Sequence, residues 1–450
     1  MAFSALTIGA SALTAAQRAV EVAANNVANA NNETYTRQRL TITSAYSSPG
    51  TPGMPGDGDR GSGVMVIDVG RLRDRLADVS YRSQAAVSGA ATARSDTLSR
   101  TTDVLGTYGN GLPEELSAFT SAWDQLSMTP QDSASRSSVM TTGQQLVDSI
   151  NGAASRLSDV ATEVGVRVGD DVNELNGLLS NVASLNNAIV RAQTEQRSPN
   201  DLLDQRDAAL DRIAALTGAK LDPQSNGAVN VSVGGVSLVS GVTAATVSVA
   251  AGPPMALSVG TTPLTVTGEI GGYTATANVD LPSYRAQLDS IAANLRDVVN
   301  AAHRAGSGLD GSTGLDFFTG TDAASFALNP GLTADQIGAS AAGQLSDGNN
   351  ALAVATAIRT SKAAGGSLIG DQLNALGTRI GQAANDAARN ATTNSSSLSA
   401  AQTARASADG VSVDEEMVDM LRYQHSYEAA AKFISVADGM LDTLINGMVK

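Results

Sequence analysis

The last forty residues of the chain, 411–450, read VSVDEEMVDMLRYQHSYEAAAKFISVADGMLDTLINGMVK. Apolar side chains recur in this stretch at alternating steps of three and four residues, which predicts one long helix with a coiled-coil seam. Ser412, followed three residues later by Glu415, is typical of a capping box and predicts where the helix starts. The seam residues predicted at this end are Met417, Met420, Tyr427, Ile434, Leu441 and Met448.

The first thirty residues carry a matching pattern, in which larger apolar side chains fall seven residues apart. Alanines between them, such as Ala16 and Ala23, leave room for the close approach of a second helix. A helix of forty residues is about 60 Å long, which is more than a compact domain requires. We therefore expect the two termini to pair as a shaft, although periodicity alone leaves an ordinary intramolecular core open as the alternative. The seam residues predicted at this end are Leu6, Leu13, Val20 and Val27.

The composition excludes several classes of function. The 450 residues are 42% hydrophobic and only 3% aromatic, and the net charge of -15 argues against nucleic acid or an anionic membrane as a partner. Because the chain has no cysteine, disulfides, thiolate metal sites and cysteine nucleophiles are excluded together. No basic region precedes an apolar run at the N-terminus, so we expect no cleaved signal peptide, and no stretch is apolar enough to predict a membrane span. Taken alone, these observations favour the cytoplasm.

The pattern in the first half of the chain is mostly helical. A hairpin is predicted from the alternation at Leu40 and Ile42 and again from Val64 to Val69, and a helix is expected over 71–107. The proline-free stretch between Pro130 and Pro199 predicts two or three long helices, and residues 200–216 predict another.

Residues 222–281 have a different composition, with valines alternating around a Gly234-Gly235 turn. Strands are expected up to about Asp280, and helix is expected to resume after Pro282. The predicted fold class is therefore mainly α with a small all-β insert: paired terminal coiled-coil helices, a helical-bundle body with a β-hairpin, and an inserted β domain. The predicted domains are 1–38 with 411–450 (terminal coiled coil), 39–221 with 282–410 (helical body) and 222–281 (β insert).

The residues that could carry chemistry do not form a convincing site. The two histidines, His303 and His425, lie on predicted helices among ordinary neighbours. Gly-Asp loops place Asp57 and Asp59, and later Asp310 and Asp316, without the spacing of an EF-hand. The acidic run at 414–416 is explained by the positive end of the helix dipole. We therefore predict no catalytic residue, no cofactor and no metal site.

Four stretches resemble a known family. They are NNVANANNETYTRQ (25–38), AFTSAWDQLSMTPQDSASR (118–136), NDLLDQRDAALDRI (200–213) and the stretch from Gly410 to Ile445. The first resembles the Asn-rich signature of bacterial flagellar rod, hook and hook-associated proteins, and the last resembles the C-terminus of hook-filament junction proteins. The signature positions matched are Asn25, Asn26, Asn29, Tyr35, Arg37 and Gln38.

The resemblance implies a structural adaptor that joins hook to filament and is not an enzyme. It implies flagellar type III export without a cleaved signal, so the expected location becomes the extracellular flagellum. Implied partners are the hook protein, the second hook-filament junction protein, copies of the chain in a ring or helical layer, and a flagellar export chaperone. We expect the ends, 1–35 and 411–450, to order only on assembly. The alternatives are a hook or rod protein, or a flagellum-associated hydrolase whose acids in the β insert are Glu269 and Asp280.

Overall fold

A computed structural model describes residues 2–32, 34–45, 63–109, 111–250, 252, 254–341, 343–344, 346–362 and 366–448. The fold is mainly α, as predicted. The α-helices are α1 Ala2–Ala28, α2 Arg75–Gly109, α3 Gly111–Met128, α4 Ser133–Thr194, α5 Asn200–Thr217, α6 Glu269–Ala275, α7 Leu281–His303, α8 Asn349–Thr360, α9 Ile369–Asp409 and α10 Val413–Met448.

The strands are short and all pair antiparallel. They form the β1-β2 hairpin, a sheet ordered β3-β4-β5-β6, a sheet ordered β7-β8-β9, and the pairs β10-β13 and β11-β12. Their bounds are β1 Gln38–Ser44, β2 Val64–Arg71, β3 Lys220–Pro223, β4 Val229–Val233, β5 Val236–Ser240, β6 Thr243–Ala244, β7 Val247–Val249, β8 Leu257–Val259, β9 Thr262–Leu264, β10 Gly306–Ser307, β11 Phe318–Thr319, β12 Ala327–Leu328 and β13 Ser340–Ala341.

The predicted hairpin turn at Gly234-Gly235 is confirmed, since both residues have positive φ, at 56° and 86°. This left-handed pair is what a type I′ turn between β4 and β5 requires. Gly218 ends α5 in the same way, with φ of 70° and its N–H donated to the Ala214 carbonyl.

Two helix boundaries differ from the predictions. The stretch between Pro130 and Pro199 holds α4, a single helix of 62 residues, instead of two or three helices. Its buried apolar side chains continue at helical spacing from Val139 to Ile189, and this packing outweighs the low helix propensity of its glycines.

The predicted start of helix at Pro282 is also wrong, because helix begins already at Glu269. A π-helical turn, Thr276–Asp280, joins α6 to α7 directly before this proline. The proline has no N–H to donate, and a wider turn is a common way for a helix to accommodate such a gap. Strand pairing therefore ends at Leu264 instead of near Asp280.

The chain divides into two compact units. The terminal unit comprises Met1–Ala85, Asn176–Ala245 and Ser396–Lys450, and the central unit comprises Ala86–Leu175 and Thr246–Ser395. The core of the central unit contains a group of aromatic rings whose neighbouring centroids lie 4.6–6.2 Å apart. These rings belong to Phe119, Trp123, Phe317, Phe318 and Phe326. The three-domain division expected from the sequence stays a prediction.

Gly272 gives a test of close packing inside the central unit. A Cβ atom at this position would lie 2.4 Å from the carbonyl oxygen of Ala90, so Gly272→Ala forces α6 away from α2. We expect the free energy of unfolding to fall by about 1–3 kcal/mol. Urea unfolding followed by the fluorescence of Trp123, which lies in the same unit, measures the change.

Gly169→Ala is the matched control, because a Cβ at this helical position meets nothing within 4 Å. There we expect no loss, or a gain of up to about 1 kcal/mol from the higher helix propensity of alanine. Equal effects of the two variants would contradict the close contact at Gly272.

Candidate assembly site at the paired termini

Helices α1 and α10 pack side by side along small residues. Ala16, Ala19 and Ala23 of α1 are buried, as are Ala430 and Ala437 of α10. Near the N-terminus of α1, a Cβ added to Gly9 would lie 2.7 Å from Cγ1 of Ile434. Such small side chains let two helix backbones approach closely, as the alanine pattern of the first thirty residues predicts.

The predicted seam residues lie in two environments within the single chain. Those that are half-buried are Leu6, Leu13, Val20, Val27, Met420, Ile434 and Leu441. Met417 is 46% exposed and Tyr427 is also exposed, whereas the side chain of Met448 lies outside the described residues. The face of α10 turned toward α1 includes the predicted Ile434, which lies against Gly9. It also includes buried Glu416, Ala430 and Ala437, one position before the predicted Met417 and its heptad equivalents. Whether the exposed seam residues contact other copies stays a prediction.

The Asn-rich signature forms a hydrogen-bonded group around the start of α10. Asn26, only 1% exposed, donates from Nδ2 to the Gln38 carbonyl oxygen and to Oε2 of Glu416, both at 2.9 Å. Its Oδ1 accepts from the Gln38 N–H at 2.9 Å and from the Tyr35 hydroxyl at 2.8 Å. Arg37 Nε lies 2.6 Å from Oε1 of Glu416, which is 3% exposed. We call Asn26, Tyr35, Arg37, Gln38 and Glu416 the latch, because it ties α1, β1 and α10 together.

The remaining signature residues close the end of α1. Asn29 donates from Nδ2 to the carbonyl oxygen of Asn25 at 2.9 Å and to its Oδ1 at 2.8 Å. The same carbonyl oxygen also accepts the Asn29 N–H at 3.1 Å, so the side-chain bonds reinforce the last turn of α1.

The predicted capping box is only half formed. The Ser412 hydroxyl accepts from the Glu415 N–H at 3.5 Å, but the Glu415 carboxylate pairs with Arg37 Nη1 at 2.9 Å. Glu415 and Glu416 therefore do more than interact with the helix dipole: both pair with Arg37, whose guanidinium group offers several N–H donors.

A second polar group in the terminal unit was missed by the sequence analysis. Carboxylates of α5 and α2 alternate with arginines at distances of 2.6–3.1 Å, for example Arg71 to Asp204 at 2.7 Å, Arg73 to Asp207 at 2.6 Å and Arg405 to Asp78 at 3.1 Å. We call it the aspartate-arginine cluster. Its members are Arg71, Arg73, Asp78, Arg82, Asp204, Asp207, Asp211 and Arg405. The sequence did hold one sign of this cluster: Asp204, Asp207 and Asp211 are spaced so that they lie on one face of α5.

The latch and the cluster are joined through backbone groups. The Thr36 N–H donates to Oδ2 of Asp204 at 3.2 Å. The Arg37 N–H donates to the carbonyl oxygen of Asp409 at 3.2 Å, and Oδ1 of Asp409 accepts from the Asp74 N–H at 2.8 Å. The base of the helix pair is thus fixed to α5, to the start of α2 and to the end of α9.

Charges in this region shift the pKa of several groups. Burial alone would raise the pKa of Asp207, but the charges of Arg73 and Arg71 bring it below its ordinary value. Burial raises the pKa of Asp409 above its ordinary value. Burial, with the negative charge of Asp204, raises the pKa of Tyr35 to about 12. Ionised Asp207 therefore stabilises the terminal unit, while ionisation of Asp409 opposes it.

We expect acid to destabilise the terminal unit. A carboxylate whose folded pKa is lowered contributes stability above its unfolded pKa, about 3.9, and loses it as pH falls through the lower folded value. Below about pH 4, Asp207 therefore weakens the fold by up to about 1.4 kcal/mol per pH unit, whereas protonation of Asp409, whose folded pKa is raised, stabilises the fold at higher pH and is complete there. Urea titrations followed by circular dichroism at pH 7, 4 and 3 measure this slope. Asp207→Asn is expected to flatten it; an unchanged slope contradicts the assignment.

The other sequence candidates are occupied by ordinary contacts. His303 is buried beside Trp123, with Nδ1 2.7 Å from the Leu315 carbonyl oxygen and Nε2 accepting from the Gly338 N–H at 3.0 Å, and burial lowers its pKa. His425 is exposed, 3.8 Å from Glu428.

The acidic residues considered as metal ligands or catalytic groups also have ordinary partners, where they lie in the described part of the chain. Asp310 accepts from Ser312, Asp316 pairs with Arg304 at 2.5 Å, and Asp280 of the hydrolase alternative pairs with Arg94 at 3.2 Å. Asp57 and Asp59 lie outside the described residues. Within the described part of the chain, no group of three or more acidic or histidine side chains suits a metal ion. None of the helices there has both the length and the apolarity to cross a membrane.

Comparisons with known proteins agree with this geometry. The model of the flagellar hook-associated protein FlgK helical domain matches residues 98–318. A flagella basal body rod protein model matches 6–36, and the C-terminal model of flagellar basal body rod FlgEFG proteins matches 405–447. These two matches cover the helices that form the pair.

Two relatives that match most of the chain are both named flagellar hook-associated protein 1. Flagellar hook-associated protein 1 of Bacillus subtilis is 29% identical, over 99% of this chain and 98% of that protein. Flagellar hook-associated protein 1 of Escherichia coli is 31% identical over 68% of this chain, which spans only 58% of that longer relative. The structure of the flagellar hook junction protein FlgK from Burkholderia pseudomallei matches 54% of this chain and 46% of its own, with a TM-score of 0.50 and 23% identity, and supports the fold alone.

Paired termini with this signature define an axial structural protein of the bacterial flagellum. Within that class, the chain belongs to the FlgK family of flagellar hook-associated proteins, the structural proteins of the hook-filament junction.

Proposed function

We propose that this chain joins hook to filament by packing the outer face of its helix pair against axial neighbours. The observation that carries the proposal is a set of large apolar side chains on α10 that stay 40–66% exposed in the single chain. These residues are Val413, Met417, Val418, Leu421, Tyr427, Phe433, Val436 and Met440. Large apolar side chains exposed in such number on one helix mark an interaction surface.

The proposed neighbours are the hook protein on one side, the second hook-filament junction protein on the other, and copies of the chain in a ring or helical layer. We propose that a flagellar export chaperone binds α10 before export and shields the exposed apolar side chains of this helix from water. The proposed location is extracellular, reached by type III export without a cleaved signal. The role is structural rather than catalytic, and the latch residues position the helix pair.

Electron microscopy of cells that lack this chain tests the proposal. We expect hooks without filaments, together with filament subunits shed into the medium. Restoring the full chain should restore filaments. Filaments of normal length in the mutant would overturn the proposal.

A hook or rod protein is the second candidate, because rod-protein models match both termini. Assembly order separates the two. A junction protein is added to a completed hook, so its loss leaves hooks of normal length, whereas loss of a hook or rod protein removes the hook itself.

Hydrogen exchange on the soluble chain tests how far the termini are ordered before assembly. The structure pairs α1 with α10 in a single copy, whereas the sequence suggested ordering only on assembly. Because the latch holds one end of the pair, we expect amides near Asn26 and Glu416 to be protected and amides near Leu6 and Leu441 to exchange at least about tenfold faster. Uniform protection along both helices would contradict this gradient.

A further inference from the structure

A cleft of about 230 Å³ lies at the base of the helix pair, inside the terminal unit. Ala19 and Ala23 of α1, together with Leu40 and Leu72, supply apolar lining, and the latch residues Asn26, Arg37, Gln38 and Glu416 supply polar lining. Arg39 and Arg422 stand at its edge. A cavity of about 150 Å³ holds a benzene ring, so this cleft has room for one large apolar side chain. It is smaller than the roughly 300 Å³ or more of most small-molecule sites.

The cleft lining has mixed charge, with Glu416 and Asp419 beside its arginines, and the surface next to it adds a basic and apolar patch. Arg39 and Arg75 are exposed, and neither guanidinium group has a hydrogen bond or ion pair to any described residue. Leu72, which lines the cleft with Arg39, and Leu76, which follows Arg75, are both exposed, the latter at 80%. An apolar patch with free guanidinium groups is suited to a helix that presents apolar and acidic side chains.

The outer face of α10 has this chemistry. Met417, Val418 and Leu421 are exposed there, and Asp414 is exposed with no partner among the described residues. Over Val413–Met448 the sequence holds seven acidic residues against two Lys or Arg. The chain's own α10 contributes Glu416, Asp419 and Tyr423 to the lining of the cleft. Its outer face therefore cannot occupy the same cleft.

We propose that this cleft binds the outer face of α10 from a second copy of the chain. An apolar side chain of the Val418 to Leu421 segment fills the space between Ala23 and Leu72, and carboxylates of that helix face Arg39. The inference rests on the proposed function, which brings copies of the chain side by side. Beyond the proposed function, it identifies the surface on which one copy binds the next.

The absence of cysteine from the chain permits a direct test in assembled flagella. Full-length Leu72→Cys and Leu421→Cys chains are expressed together in cells that lack the native chain, and the isolated flagella are oxidised. A disulfide needs Cα atoms within about 7 Å, so we expect on the order of tenfold more cross-linked dimer than from Leu72→Cys with Val242→Cys. Val242 is the control position because it is exposed elsewhere in the terminal unit. Leu76→Cys replaces Leu72→Cys if the latter is not incorporated.

The outcomes separate the inference from the proposed function. Cross-linking that Arg39→Glu abolishes and Arg39→Lys preserves supports the inference. Filaments that assemble normally while the cross-link stays at the control level overturn it and leave the junction role standing. A Leu72→Cys chain that cross-links to a protein of another mass, instead of a second copy, also overturns it. Failure of the junction role appears separately, as normal filaments in cells without the chain.

Discussion

Replacing Glu416 with alanine is expected to leave hooks without filaments and to lower the free energy of unfolding by about 3–5 kcal/mol. The Glu416 carboxylate accepts from Arg37 Nε at 2.6 Å and from Asn26 Nδ2 at 2.9 Å. Because both donors are at least half-buried, removing their shared acceptor leaves a cation and an amide group without compensation. Urea unfolding of the purified chain and electron microscopy of the cells measure the two effects.

Glu415→Ala is the matched control one residue earlier. Its carboxylate also pairs with Arg37 but is 64% exposed, and exposed ion pairs contribute about 1 kcal/mol or less. We expect full filaments with this variant. Glu416→Gln keeps the shape of the side chain and is expected to fall between the two. Bare hooks from Glu415→Ala, or full filaments from Glu416→Ala, would refute the assignment of the latch to Glu416.

Asp207→Ala is expected to have an effect of similar size through the aspartate-arginine cluster. Oδ2 of Asp207 lies 2.8 Å from Arg71 Nη1 and 2.6 Å from Arg73 Nη1. Both guanidinium groups are largely buried, so losing this carboxylate leaves excess positive charge inside the terminal unit. We expect a loss of about 3–5 kcal/mol, measured by urea unfolding followed by circular dichroism.

Asp201→Ala on the same helix controls for the loss of an acid from the first turns of α5. Asp201 is exposed, and we expect a change within about 0.5 kcal/mol. The single tryptophan, Trp123, lies in the central unit. If the cluster stabilises mainly the terminal unit, Asp207→Ala shifts the circular dichroism transition more than the tryptophan fluorescence. Equal shifts of the two signals would contradict that localisation.

Heptad spacing predicted the helix pair, because a long amphipathic pattern has few other ways to bury its stripe. It could not decide between adjacent registers. The choice of Ala430 and Ala437 over neighbouring positions depends on how closely α1 approaches, and that distance is set by alanines at the other end of the chain. The boundary at Pro282 failed for a different reason: a π-helical turn before it satisfies a local constraint that proline signals do not reveal.

The signature residues were found through resemblance, but their partner Glu416 was not. A capping role was sufficient to explain the acids of α10, and nothing near them in sequence points to Arg37. The aspartate-arginine cluster is still harder to predict from sequence, because its members come from separate stretches. The bond from Arg71 to Asp204, for example, spans 133 residues. Charge pairs of this kind become visible only when the helices are placed.

The bond between Asn26 and Glu416 joins residues 390 positions apart. When the chain emerges N-terminus first, from a ribosome or from a narrow channel, almost all of its residues have emerged before α10 can pack against α1. Until then the Arg37 side chain lacks its acceptors Glu415 and Glu416, and Asn26 Nδ2 has only the Gln38 carbonyl oxygen. A chain truncated before Glu416 therefore cannot close the latch, and we expect proteases to degrade it faster than the chain that contains α10.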